Sequence, residues 1–89
     1  MEKKNCPVDM IALCSTDGNL VPIRFRFETE DHSMQTVTIS EVVCSKQVSY
    51  VGREAMIYVC KAIMGEFERL LELKYSIQNH RWSLFRVIY

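Results

Sequence analysis

The sequence predicts an all-β fold: a single small domain of six antiparallel strands in a meander curled into an SH3-like open barrel. Three observations carry that reading. Residues 20–28 alternate with period two: Ile23, Phe25 and Phe27 point one way, and Arg24, Arg26 and Glu28 the other, as in a half-buried strand. Similar apolar runs recur along almost the whole chain. Turn residues separate them, beginning with Asp17-Gly18, both of which tolerate positive φ and so favour a hairpin.

Residues 1–7 read as a flexible N-terminal tail closed by Pro7, and residues 8–89 as the single β domain. The first strand is 8–14, without charge after Asp9. The second is 20–28, where Pro22 lacks an N–H and so belongs at an edge, a strand start or a bulge. Glu30-Asp31-His32-Ser33 is a polar turn. A third strand begins at Gln35, with Val37 and Ile39 on one face and Thr36, Thr38 and Ser40 on the other. At Glu41-Val42-Val43-Cys44 the alternation breaks, which implies a bulge or sharp bend. Such a bend lets one strand serve two faces of a small barrel. Residues 46–52 read as a loop, with Gly52 at a positive-φ position.

Residues 53–77 admit two readings. Met56, Val59, Cys60, Ile63, Phe67, Leu70, Leu71 and Tyr75 match a helical stripe. Against this, Leu71, Leu73, Tyr75 and Ile77 alternate with Glu72, Lys74 and Ser76. Gly65 would cost a helix about 1 kcal/mol but suits a turn between Met64 and Glu66. Two strands, 55–64 and 66–77, are preferred; the alternative is an α+β fold with one helix at about 53–75 on a small sheet. Gln78-Asn79-His80 is a turn, and the last strand is 81–89, with Trp82 and Leu84 on one face. The expected core is Phe25, Phe27, Ile39, Leu71, Leu73 and Trp82.

Composition narrows the function classes. The chain is 48% apolar and 25% charged, an ordinary globular balance. Lysine plus arginine and aspartate plus glutamate both total 11, so the net charge is zero. That argues against a dedicated nucleic-acid binder, which carries a basic excess, and leaves little repulsion against self-association. The polar start has no signal-peptide core, and nothing approaches a membrane span, so the expected setting is cytoplasmic. Cys6, Cys14, Cys44 and Cys60 are then expected as reduced thiols, with Cys44 and Cys60 as small buried hydrophobes.

No constellation of catalytic residues stands out. Asp31-His32-Ser33 cannot form a triad, because the base must bond the nucleophile through one ring nitrogen and the acid through the other. The cysteines and histidines lack Cys-x-x-Cys or His-x-x-x-His spacing, and Gly18, Gly52 and Gly65 are too far apart for a phosphate loop. No metal, cofactor or catalytic residue is expected.

The Asp17-Gly18 turn, Pro22, Phe25, Glu72-Leu73-Lys74-Tyr75 and Trp82-Ser83-Leu84 together resemble short stand-alone bacterial proteins of uncharacterised function, of the Gram-positive type, in which a D-G-x-x-x-P turn opens a β-meander and a W-x-L strand closes it. The resemblance runs from Asp17 to Leu84. It implies a β-meander and a bacterial, cytoplasmic setting. Some similar proteins are associated with DNA-repair polymerase genes, which implies an accessory role. It transfers no catalytic residue.

The resulting expectation is a non-enzymatic binding domain that contacts a protein partner. An alternative is a single-stranded nucleic-acid module, with phosphates on Arg24 and Arg26 and bases stacked on sheet aromatics such as Tyr58 and Phe85. Open sheet edges also offer a route to homo-oligomers. A small enzyme is the third reading, and it requires a deep pocket with convergent polar groups.

Overall fold

The computed structural model describes residues 5–89 (Tyr50 by its backbone). Six strands follow in chain order: β1 (Cys6–Cys14), β2 (Leu20–Glu28), β3 (Met34–Tyr50), β4 (Arg53–Met64), β5 (Phe67–Ser76) and β6 (Arg81–Val87). Every sequential pair is antiparallel, and β6 returns to β1, so the meander closes into a barrel. The helix considered over 53–75 is replaced by the β4–β5 hairpin. Gly65 at φ 67 begins its two-residue turn, with Met64 opposite Phe67.

Three boundaries differ from the sequence reading. The barrel is closed rather than open, although the closing seam is short: Cys6, Pro7 and Val8 pair with Leu84, Ser83 and Trp82. Cys6 and Pro7 therefore belong to the sheet, and the part of the expected tail at residues 1–4 lies outside the described residues. The expected loop at 46–52 is mostly strand. β3 runs 17 residues and reverses only at Val51-Gly52. Both turn residues have positive φ (51° and 75°), the type I′ geometry whose twist matches the flanking strands.

Two other turns share one local design. In Ser15-Thr16-Asp17-Gly18-Asn19 the Ser15 N–H donates to the Asn19 carbonyl (2.8 Å) and the Ser15 hydroxyl donates to the Asp17 carboxylate. In Thr29-Glu30-Asp31-His32-Ser33 the Thr29 N–H donates to the Ser33 carbonyl (2.7 Å) and the Thr29 hydroxyl to the Asp31 carboxylate. Gly18 and His32 take the positive φ at equivalent places. The serine and threonine hydroxyls, with backbone N–H groups behind them, hold Asp17 and Asp31 below the usual aspartate range.

The core is the inner face of the alternation. Phe25, Phe27, Leu71 and Leu73 are buried as expected, joined by Val37, Tyr58, Cys60, Ala62 and Leu84. Ile39 and Trp82 pack against this cluster only partly buried. Trp82 lies toward the β5–β6 turn, its ring 4.9 Å from Tyr75 and 5.3 Å from Tyr58. Ile23 faces outward, 43% exposed, contrary to the uniform alternation expected of β2. Arg24 pairs with Ile11 and Pro22 with Ala12, so Ile23 is the extra residue of a bulge, and Pro22 takes the inward place. The phase slip expected in β3 is present as two register shifts, between Ile39 and Glu41 and between Val42 and Cys44.

Phe25→Ala should destabilise the domain by about 3–5 kcal/mol in urea unfolding, whereas Ile23→Ala should cost under about 1 kcal/mol; equal losses would refute the bulge. Val51 is β-branched at positive φ and 87% exposed. Val51→Asn should therefore stabilise by about 1 kcal/mol by placing Asn-Gly in a type I′ turn, read as an upward shift in Tm.

Candidate functional site

The two bulges divide β3 between neighbours. β2 pairs with it over Met34–Thr38, and β4 over Val37–Tyr50. Among the described residues, β3 from Ile39 to Tyr50 has a strand partner on the β4 side alone. Backbone N–H and C=O groups are obligatory hydrogen-bonding groups, so this open side is a template for another strand.

The facing edge belongs to the N-terminal half of β2 and is partly blocked. Pro22 has no N–H to give. The Leu20 carbonyl accepts the Tyr58 hydroxyl at 3.0 Å. Between the two edges lies a cleft of about 670 Å³ lined by Leu20, Pro22, Val42, Met56, Tyr58 and Tyr75. Within the closed barrel β2 and the far half of β3 are thus not paired with each other, and the β3 side carries the longer run of backbone without a second strand partner among the described residues.

Beside that edge, the outer face of the sheet carries a groove of about 600 Å³. Register builds it in rows. Lys46, Ile57, Lys74 and Ser83 align across β3, β4, β5 and β6; the next row holds Val48, Ala55, Ser76 and Arg81. Val48, Ala55 and Ile57 give an apolar floor, and Lys46, Arg53, Lys74 and Arg86 a cationic rim. The carboxylate lining it is Glu72, whose side chain is only 14% exposed and is bonded to Arg86. Elsewhere on this face Lys61 is paired with Glu41 at 3.9 Å. A zero net charge thus conceals a locally basic surface.

The four residues singled out from the sequence do not converge. Arg26 is held at 3.2 Å by Asp9. Arg24 lies two pairs along on the same face, beside outward-facing Ile11, and the same hairpin exposes Leu13, Val21 and Ile23. Those neighbours are aliphatic, so Arg24 and Arg26 have no stacking platform within reach on β1 and β2. Tyr58 is buried, 4% exposed, with its hydroxyl occupied, and desolvation pushes its pKa up. It holds the cleft together and leaves a partner no ring to stack on. Phe85 does line the groove, as the extra residue of a bulge in β6, with the Lys74 ammonium 5.9 Å above its ring. Lys46, Val48, Arg53 and Lys74 are not among those four, because the chain alone does not show which strands are neighbours.

Asp31-His32-Ser33 is a turn: His32 Nδ1 bonds Glu28 at 2.9 Å, and Asp31 is taken by Thr29 and the Ser33 N–H. Among the described residues no cluster of histidine, cysteine and carboxylate side chains is arranged to hold a metal. Among the described residues no helix is long and apolar enough to cross a membrane. All four cysteines are free thiols. Cys60 is buried as expected, but Cys44 points outward beside the bulge and is exposed, as is Cys14. Comparison of the chain with protein-family models, curated proteins and solved structures finds no match.

Burial, with a smaller contribution from Cys44, pushes the Cys60 thiol up to about 12 from an ordinary 9.0. The unfolded chain then loses this proton at lower pH than the folded one, so stability is intact below about pH 9 and falls as pH rises toward 12. Cys60→Ser should flatten that alkaline limb in denaturation profiles. At neutral pH a thiol reagent should modify Cys14 and Cys44 quickly and Cys60 only on unfolding. Rapid labelling of Cys60 in native protein would contradict the core assignment.

Proposed function

We propose that this chain is a small non-enzymatic binding domain that takes up an extended segment of a protein partner as an added strand on β3. The carrying observation is the edge from Ile39 to Tyr50, paired on one side only among the described residues. Strand addition draws affinity from main-chain hydrogen bonds and specificity from the alternate side chains of the incoming strand. The same edge provides both surfaces: the incoming side chains on one face would meet the cleft at Val42, and those on the other would meet Lys46 and the groove.

The surroundings support this order of events. Edge strands are normally blunted by proline, charge or bulges. β2 carries such a block in Pro22, whereas the stretch of β3 beyond its second bulge, Cys44 to Tyr50, carries one lysine and no proline. The fold does not need that edge for closure, since closure is made between β1 and β6. A partner strand can therefore bind without opening the barrel. We place this activity in the cytoplasm, where the exposed thiols of Cys14 and Cys44 stay reduced.

Amide hydrogen exchange tests the reading. In the free protein the amides of 39–50 that point away from β4 should exchange faster than those bonded to it, in alternation. A strand-forming peptide rich in Val and Thr should protect the fast set and shift its NMR resonances. Shifts confined to the β1–β2 hairpin around Ile11 and Arg24, or turnover of a substrate, would overturn it.

A further inference from the structure

The rim of the groove says what kind of segment fits. Incoming strands lie about 4.8 Å from their neighbour, so a peptide on β3 projects every second side chain alongside Lys46 and Val48, while Lys74, on β5 in the same row, lies three strand spacings away, about 14 Å. Among the described residues neither Lys46 nor Lys74 has an ion-pair partner. The groove's carboxylate, Glu72, is committed to Arg86, and Glu41 is committed to Lys61. Lys46 and Lys74 flank Ile57 in one row, with Arg53 beyond them at the β3–β4 turn. Glu28, Glu30 and Asp31 at the β2–β3 turn and Glu66 and Glu68 at the β4–β5 turn lie at the opposite end of the barrel from the β3–β4 turn, where Glu54 is taken by the Gln47 side-chain amide at 2.6 Å.

The floor completes the picture. Val48, Ala55 and Ile57 are aliphatic, and Phe85 is the aromatic among the groove's lining residues. A basic surface for single-stranded nucleic acid presents successive aromatics for the bases; here Tyr58, Tyr75 and Trp82 all turn toward the interior. Cations around an aliphatic floor suit carboxylates alternating with short apolar side chains. We infer that the partner's docking segment is an extended acidic peptide, with Asp or Glu at alternate positions facing Lys46, within the longer-range field of Lys74 and Arg53, and Val, Ile or Thr facing the cleft. This identification rests on strand addition at β3.

Two designed peptides separate the two ideas: one alternates Glu with Val and Thr, the other Lys with Val and Thr. Each is titrated into isotope-labelled protein at low salt, with shifts of the 39–50 amides as the signal. The acidic peptide should bind about tenfold more tightly, the preference that two or three exposed ion pairs supply, and that advantage should fade at high salt. Lys46→Glu with Lys74→Glu should reverse the order, with far-UV dichroism confirming the fold. Lys74→Gln alone should reduce the preference without reversing it. Equal affinities at β3 would overturn the acidic assignment and leave strand addition standing. No perturbation of β3 by either peptide would overturn strand addition itself. Tighter binding of an oligothymidine at Lys46 and Lys74 would reassign the face to nucleic acid. A concentration-dependent dimer that protects the same amides would reassign the edge to a second copy of this chain.

Discussion

A backbone edge has to be satisfied, closed off or left to something else, and the phase of β3 decides which. A single strand of 17 residues cannot keep one neighbour on each side throughout a small barrel, because twist and curvature carry its two halves into different parts of the wall. The register shifts at Ile39/Glu41 and Val42/Cys44 are the concession. They let Val37 and Ile39 face the core beside Ala62 and Met64, and re-aim Cys44, Lys46 and Val48 outward beside Val59, Ile57 and Ala55. The same bend takes β3 away from β2, and everything proposed for this molecule's surface follows from that separation.

The two edges created there are chemically unequal. Pro22 and the Tyr58–Leu20 bond remove one donor and one acceptor that the start of β2 would otherwise present. Tyr58 also anchors the hairpin to the main sheet through a buried side chain, with Trp82 beside its ring. Nothing comparable shields the far half of β3 among the described residues. Its nearest charge is Lys46, which projects from a face and leaves the backbone accessible. In a chain of zero net charge such an edge would invite indiscriminate pairing. The bulges shorten the flat portion, and the cationic rim repels basic or like-charged edges, so the surface selects as well as attracts.

Most of the fold was legible because it is written in local signals. Period-two alternation located β2, β5 and β6. Asp17-Gly18, Gly52 and Gly65 located three turns through their tolerance of positive φ. The broken alternation at Glu41–Cys44 located the bend. What failed depended on one residue of phase or on contacts distant in sequence. The bulge at Ile23 inverts a facing that the pattern Ile-Arg-Phe-Arg-Phe makes look uniform. Residues 46–50 look like a loop because Lys46, Gln47 and Ser49 leave Val48 as a lone aliphatic residue before Gly52, yet β4 supplies the partners that make them strand. Closure by Cys6, Pro7 and Val8 against β6 joins the two ends of the chain, a relation that no local pattern contains.

The site was less legible than the fold for the same physical reason. Composition adds charges without regard to place, and 11 of each sign cancel. In space they do not cancel, since alternation sends Lys46, Lys74, Arg81 and Arg86 to one outer face while the turns at the other end hold Glu28, Glu30, Asp31, Glu66 and Glu68. Arg24 and Arg26 drew attention because they are adjacent on one strand, but adjacency across strands matters more: Asp9 opposite Arg26 neutralises it, whereas Ile57 between Lys46 and Lys74 neutralises neither. A cation facing an aliphatic neighbour keeps its field for a ligand. That distinction, set by register, separates a sheet surface that stabilises itself from one that is complementary to something else.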